Sequence, residues 1–277
     1  RRWTSMLALG MIAALAMPGT AQATPQLGDL GVKQSMSVKA SNGESLEGKD
    51  LRAIQLATYT AASVDGNTIV GYDLTTNTAL ASDITAAAKA AGATDTNLTV
   101  NGKNDPMVWV VKNLTDSRSD PWSGKLRNFC NSLAKQTNFA KQDGTAVSTL
   151  SQDKATMSTG NVLVPGIYAI VDRTPATTTL SSGTAIKTTA SIMMMNGTAV
   201  NGVNQLRTAG GTTLTLGQVI YKVSNVESPD KKVNVGSAWK DSASEAIGKD
   251  LTYRVTQKIP NWTGYEHYYL ALNDTLG

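Results

Sequence analysis

Across 277 residues the chain carries 25 lysines and arginines against 21 aspartates and glutamates, with one histidine and one cysteine, for a formal charge of +4. So small an excess, with no basic cluster beyond Lys231-Lys232, does not indicate nucleic-acid binding, and a lone thiol excludes an intramolecular disulfide framework. With one histidine and no cysteine cluster there is no ligand set for a metal, and no cofactor is expected; the abundance of Thr, Ser, Gly, Asn, Ala and Val points to a β-rich extracellular protein.

In chain order, Arg1 and Arg2 precede an apolar run from Met6 to Met17, then Pro18, Gly19 and the triplet Ala21-Gln22-Ala23. A basic flank, an apolar middle and an A-x-A site make a secretory signal peptide, residues 1–23, cleaved between Ala23 and Thr24. The run is shorter than the roughly 20 apolar residues a membrane span needs. Position 1 is not methionine, so the sequence reads as beginning inside its leader.

From Val32 to Tyr59 two strands are expected around a turn at Ser41-Asn42-Gly43, and Ala61 to Tyr72 repeats the pattern around Asp65-Gly66-Asn67. The period then changes. Ser82 to Ala91 reads as an alanine-rich helix capped by Ser82 and stopped by Gly92. A second helix is expected from Asp120 and Pro121, with Trp122, Leu126, Phe129, Cys130 and Leu133 on one face, so that Cys130 is a core thiol. Strands return in Gly160 to Val171, with a turn at Pro165-Gly166, and continue through Ala190 to Met195 and Thr212 to Leu216. The class is therefore mainly β, a sandwich with inserted helices.

Residues 24–226 form the first domain and residues 227–277 the start of a second, joined by Val219 to Val235, which reads strand, polar bend, strand. Period-two geometry puts Lys231, Val233 and Val235 on one face, with Lys232 and Asn234 on the other. Leu251 to Val255 and His267 to Leu272 supply further strands. About 50 residues after Pro229 are fewer than a sandwich needs for its core, so the second domain reads as cut off.

No G-x-S-x-G, P-loop or G-x-G-x-x-G motif is present, and no catalytic triad or hydrolase site can be assembled around His267. Two readings of Lys231 stand: a snorkelling edge residue, or an amine kept neutral and nucleophilic by burial. Asp274 follows the strand Tyr268 to Leu272 on the face of Leu270 and Leu272, where it either caps a turn or is a carboxyl driven toward its neutral form. Such a pair can join a lysine amine to an asparagine side chain. The amine attacks the amide carbon, the acid polarises the oxygen and relays protons, and ammonia leaves.

Four segments together resemble the major, or backbone, pilin of the sortase-assembled pili of Gram-positive bacteria. Leu46 to Ala53 with Gln55-Leu56 is similar to the opening strands of the first pilin domain, and Gly166 to Val171 to its G-x-Y strand. Ser228 to Val233 resembles the start of the isopeptide-forming second domain, an Ig-like sandwich. Gly248 to Val255, Ile259-Pro260-Asn261 and Asn273 to Leu276 follow that domain's order. The resemblance implies Lys231 as nucleophile and Asp274 as assisting acid, with the partner Asn and an L-P-x-T-G-like sorting signal beyond Gly277. The lysine that a pilin sortase joins to the next subunit usually stands in Tyr-Pro-Lys-Asn. Here the matching place reads Tyr221-Lys222-Val223-Ser224-Asn225, without the proline, which makes Lys222 the expected joint. Lys39 is the nearest match to a first-domain cross-linking lysine, but it alternates out of phase with Met36 and Val38. The implied function is a structural, non-enzymatic pilus subunit on the cell wall. Its partners would be identical subunits, a pilin sortase and minor pilins. The alternative is a monomeric wall-anchored adhesin that binds a host glycan or matrix protein.

Overall fold

A computed structural model describes residues 25–41, 44–100, 102–114, 124–175, 177–179, 185–188, 193–208, 211–221, 225–226, 229–244 and 248–259. Its layering can be read from one strand, β10 (Gly166–Asp172), whose side chains alternate between two cores. Ile167 and Ala169 join a core lined by helices, whereas Tyr168 and Ile170 join a core lined by a second sheet. Both faces are covered, which explains why the strand is almost uninterruptedly apolar.

The main sheet runs β13 (Met194–Gly197), β10, β3 (Leu51–Asp65), β4 (Thr68–Thr76), β14 (Gln205–Arg207), β15 (Thr213–Thr215), with β1 (Gln26–Leu27) and β7 (Thr145–Val147) also paired to β3. The second sheet runs β16 (Gln218–Tyr221), β2 (Ser37–Ala40), β9 (Thr156–Ser158), β8 (Thr149–Leu150). A three-stranded sheet of β19 (Ala238–Lys240), β18 (Asp230–Val235) and β20 (Tyr253–Thr256) follows. Two smaller pairings complete the strands, β11 (Thr177–Thr179) with β12 (Ala185–Thr188) and β17 (Asn225–Val226), and β5 (Thr99–Val100) with β6 (Lys103–Asn104). The fold is mainly β, with the helices packed on one face of the main sheet.

Long β3 merges what the sequence suggests are two strands. Its register against β10 skips Leu56, since Ile167 faces Ala57 and Tyr168 faces Gln55. That irregularity lets Ile54 and Leu56, and then Ala57 and Tyr59, serve the same helix-side core, while Leu51 and Ala53 serve the other. A second shift between Tyr59 and Ala61 interrupts the pairing with β4. Gly166 is required at the first irregularity, because a Cβ there would lie 2.1 Å from the Ala57 carbonyl oxygen.

The helices are α1 (Ala81–Ala90), α2 (Pro106–Asn113), α3 (Lys125–Ala134) and α4 (Thr137–Ala140). Gly92, at φ +103°, follows α1 as expected. Ser82 is not its cap: Leu80 holds the N-cap position, and the Ser82 hydroxyl bonds Asp83 instead. Asn77 does the capping one turn earlier, accepting from the Ala79 amide at 3.1 Å ahead of the 3-10 turn Thr78–Leu80. The buried Asp83 accepts from the Phe139 amide at 2.8 Å and from Asn138 Nδ2 at 3.0 Å, tying α1 to the start of α4. Cys130 is buried on α3 beside Phe129 and Leu133, and Asp120 to Trp122, the expected start of this helix, lie outside the described residues. Helix α2 has no counterpart in the sequence reading. No helix among the described residues is long and apolar enough to cross a membrane.

Candidate functional site

Strand β18 separates two adjacent lysines by face. Lys231 pairs across with Val255, and Val233 with Tyr253, so these four share a face on which Val233 is 3% exposed. The Lys231 ammonium lies 4.6 Å from the centroid of the Tyr253 ring, within cation–π range. Lys232 points the other way and is held by carboxylates, hydrogen bonded to Asp241 and 3.4 Å from Asp230. Those contacts, the Asp241 bond foremost, push its pKa above the ordinary lysine value. Beside it Arg254 stacks on Trp239 at 4.6 Å. One lysine is thus fixed as a cation among acids, and its neighbour lies among apolar and aromatic side chains. Asp274, Lys222, His267, Ala23 and Thr24 lie outside the described residues, so the pairing of Lys231 with Asp274 does too.

Lys39 is solvent-exposed on β2, consistent with its phase against Met36 and Val38, which are fully buried. A different lysine is buried, in the turn before β3. Lys49, 7% exposed, sits after Gly48 (φ +76°) in the turn that leads into β3, its amide donating to the Leu46 carbonyl at 3.1 Å. Its ammonium is 5.9 Å from the ring centroid of Tyr221, the last residue of β16, which is 1% exposed. Burial lowers the Lys49 pKa, and the nearby charges of Asp172 and Glu44 counteract it in part. Glu44 is pushed upward by its own burial against the opposing pull of Lys258 and Lys49.

Asp172, at the end of β10, closes this cluster. Its Oδ2 accepts a hydrogen bond from the Tyr221 hydroxyl, and its Oδ1 accepts from the Thr174 amide at 2.8 Å. The Thr174 hydroxyl in turn accepts from the Asp50 amide at 2.8 Å, and the Asp50 carbonyl accepts from the Arg173 amide at 2.8 Å. The chain after Lys49 and the chain after Asp172 are therefore laced together around one carboxylate. Sequence reasoning missed this site. Lys49-Asp50 is legible as part of a motif, but the residue that covers Lys49 lies 172 positions away.

The larger surface features carry little chemistry. A cleft of about 280 Å³ lies where the edge of β3 is open between β7 and β4, lined by Gln55, Asn77, Gln142, Thr145, Leu163 and Tyr168. Asn77 Nδ2 donates to the Gln55 carbonyl there at 2.9 Å, replacing a strand partner. Among the described residues no group of three or more His, Cys, Asp and Glu could hold a metal. No protein-family model matches the chain, and no curated protein matches it in sequence.

Proposed function

We propose that this chain is the structural subunit of a covalently polymerised surface pilus, joined head to tail through Lys222 by a pilin sortase. Within its second domain an isopeptide bond forms from Lys231 to an asparagine, with Asp274 as the assisting acid. The observation that supports this reading is the division of labour on β18. Lys232 is neutralised by Asp230 and Asp241, whereas Lys231 shares its face with Val233, Tyr253 and Val255. The face of Lys231 is the one that carries the buried Val233, the side on which a strand closing a sandwich over this sheet would bring its asparagine to the amine.

The chemistry balances without a cofactor. The Lys231 amine adds to the asparagine side-chain carbon, the carbon–nitrogen bond to the departing amide nitrogen breaks, and ammonia carries away the transferred proton. The bond would limit the unfolded chain as a disulfide does, in a protein whose one cysteine is buried. The same subunit, exposed on the cell wall, would meet identical subunits, minor pilins and the sortase.

Peptide mapping by mass spectrometry of wall material from the native organism tests both bonds. The expected result is two branched peptides, one joining Lys222 to a threonine carboxyl and one joining Lys231 to an asparagine side chain with loss of ammonia. Linear peptides spanning Lys222 and Lys231 throughout would overturn the proposal.

A further inference from the structure

The cluster of Tyr221, Asp172 and Lys49 sits at a mechanically special place. In the second sheet β16 is the edge strand, and it pairs in parallel with β2 over four residues, Gln218 with Ser37 through Tyr221 with Ala40. On its other side Asn196 Nδ2 donates to the Gln218 carbonyl at 2.6 Å, and the Gly217 amide donates to the Gly197 carbonyl at 2.7 Å. Those side bonds secure the beginning of β16. The strand's end is secured by Tyr221, whose ring is buried in the second core, whose hydroxyl donates to Asp172, and over which the Lys49 ammonium lies. The next residue is Lys222.

We infer that the Tyr221–Asp172–Lys49 cluster is a mechanical anchor, holding the end of β16 where tension from a neighbouring subunit enters the domain. This rests on Lys222 as the intersubunit joint. A short edge strand pulled from one end unzips from that end, so its resistance is set by the first residue to leave. Here that residue is Tyr221. Its partner Asp172 is itself tied through Thr174 to Asp50 and so to the start of β3, the central strand of the main sheet. Load at residue 222 therefore meets Tyr221, where the last pair of the β2–β16 ladder and the side-chain bonds leading into the main sheet act together. The side chains of Gln218 and Ile220 are exposed, and the other buried side chain of the strand, Val219, packs in the second core without a polar tie to the main sheet.

Single-molecule pulling of the full chain separates this role from ordinary stability. With Cys130→Ala removing the native thiol, handles are placed at Lys222→Cys and Asn67→Cys for the load axis, and at Lys141→Cys and Asn67→Cys for a control axis. Tyr221→Phe keeps the ring and deletes the hydroxyl; Asp172→Ala deletes the acceptor. Along the load axis each variant is expected to unfold roughly tenfold to a hundredfold faster at a given force, the effect of losing the part-buried, charge-assisted Tyr221–Asp172 hydrogen bond that both remove. Along the control axis the rates should stay within about twofold of the parent. Unchanged rates along the load axis, or equal acceleration along both axes, would overturn the anchor. The pulling experiment needs no polymer, so its failure leaves the polymerisation proposal standing, and absence of polymer leaves the measured anchor intact.

Discussion

Tyr59 offers a packing prediction in which two substitutions should cancel. The residue is 4% exposed, its ring centroid lies 5.0 Å from that of Tyr72, and its hydroxyl is buried with no hydrogen-bond partner among the described residues. Burial, reinforced by Tyr72, holds its pKa far above the ordinary tyrosine value. The oxygen rests against Gly197 of β13, where a Cβ would lie 2.2 Å from it and 3.2 Å from Ile167 Cδ1. Tyr59→Phe removes a desolvated hydroxyl and should stabilise the protein by about 1–2 kcal/mol, the cost of an unpaired buried polar group. At this chain length that is a rise of roughly 2–8 °C in Tm. Gly197→Ala alone drives a methyl into the oxygen and should cost about 1–3 kcal/mol. In the double variant the methyl occupies the space that the oxygen vacated, so stability should return to the parent level or above. The coupling energy should be at least ~1 kcal/mol. Urea unfolding of the four proteins measures the cycle. Strictly additive effects, or a Tyr59→Phe variant less stable than the parent, would refute this packing.

Three further outcomes are expected. Gly166→Ala places a Cβ 2.1 Å from the Ala57 carbonyl oxygen, so β10 must move away from β3; a loss of ~3 kcal/mol or more is expected in denaturant melts, at the upper end of overpacking costs. Lys49 has a folded-state pKa below its reference value of 10.5, so between those two values the unfolded chain binds the extra proton and stability rises with pH. The penalty is fully present below the folded pKa, and Lys49→Met should flatten the pH dependence of the urea midpoint relative to the parent. Asp83→Ala leaves the Phe139 amide and Asn138 without their acceptor, and should lower stability by ~1–2 kcal/mol and loosen α4 in hydrogen exchange.

The main-sheet strand Ile167 to Val171, a continuous apolar run, and the Asp65-Gly66-Asn67 hairpin appear where the sequence puts them, whereas the turn expected at Pro165-Gly166 does not: Gly166 is already the first residue of β10, paired with Thr58. Where phase breaks, legibility fails. The skip at Leu56 and the shift after Tyr59 make one 15-residue strand read as two. Helix α2 escapes because Met107 to Val111 is continuously apolar and carries no 3.6-residue period; Asp105 and Pro106 at its start are the signals available. Ser82 has the chemistry of a cap, but the chain enters α1 through a 3-10 turn that Asn77 has already capped. On β18 the faces of Lys231 and Lys232 follow from period two alone, whereas the acids around Lys232 include Asp241 beyond the next strand. The Lys49 cluster depends on β16 returning beside β2, and nothing local to Lys49 announces it.

The most direct measurement is an SDS gel of wall extracts from the native organism, probed with antibody to this chain, with Lys222→Ala beside the parent strain. A shaft subunit joined through Lys222 predicts a detergent-resistant high-mass ladder in the parent that collapses to monomer in the variant. A single monomer band in the parent would contradict covalent polymerisation and favour a monomeric adhesin; a ladder that persists in Lys222→Ala would move the joint to another lysine.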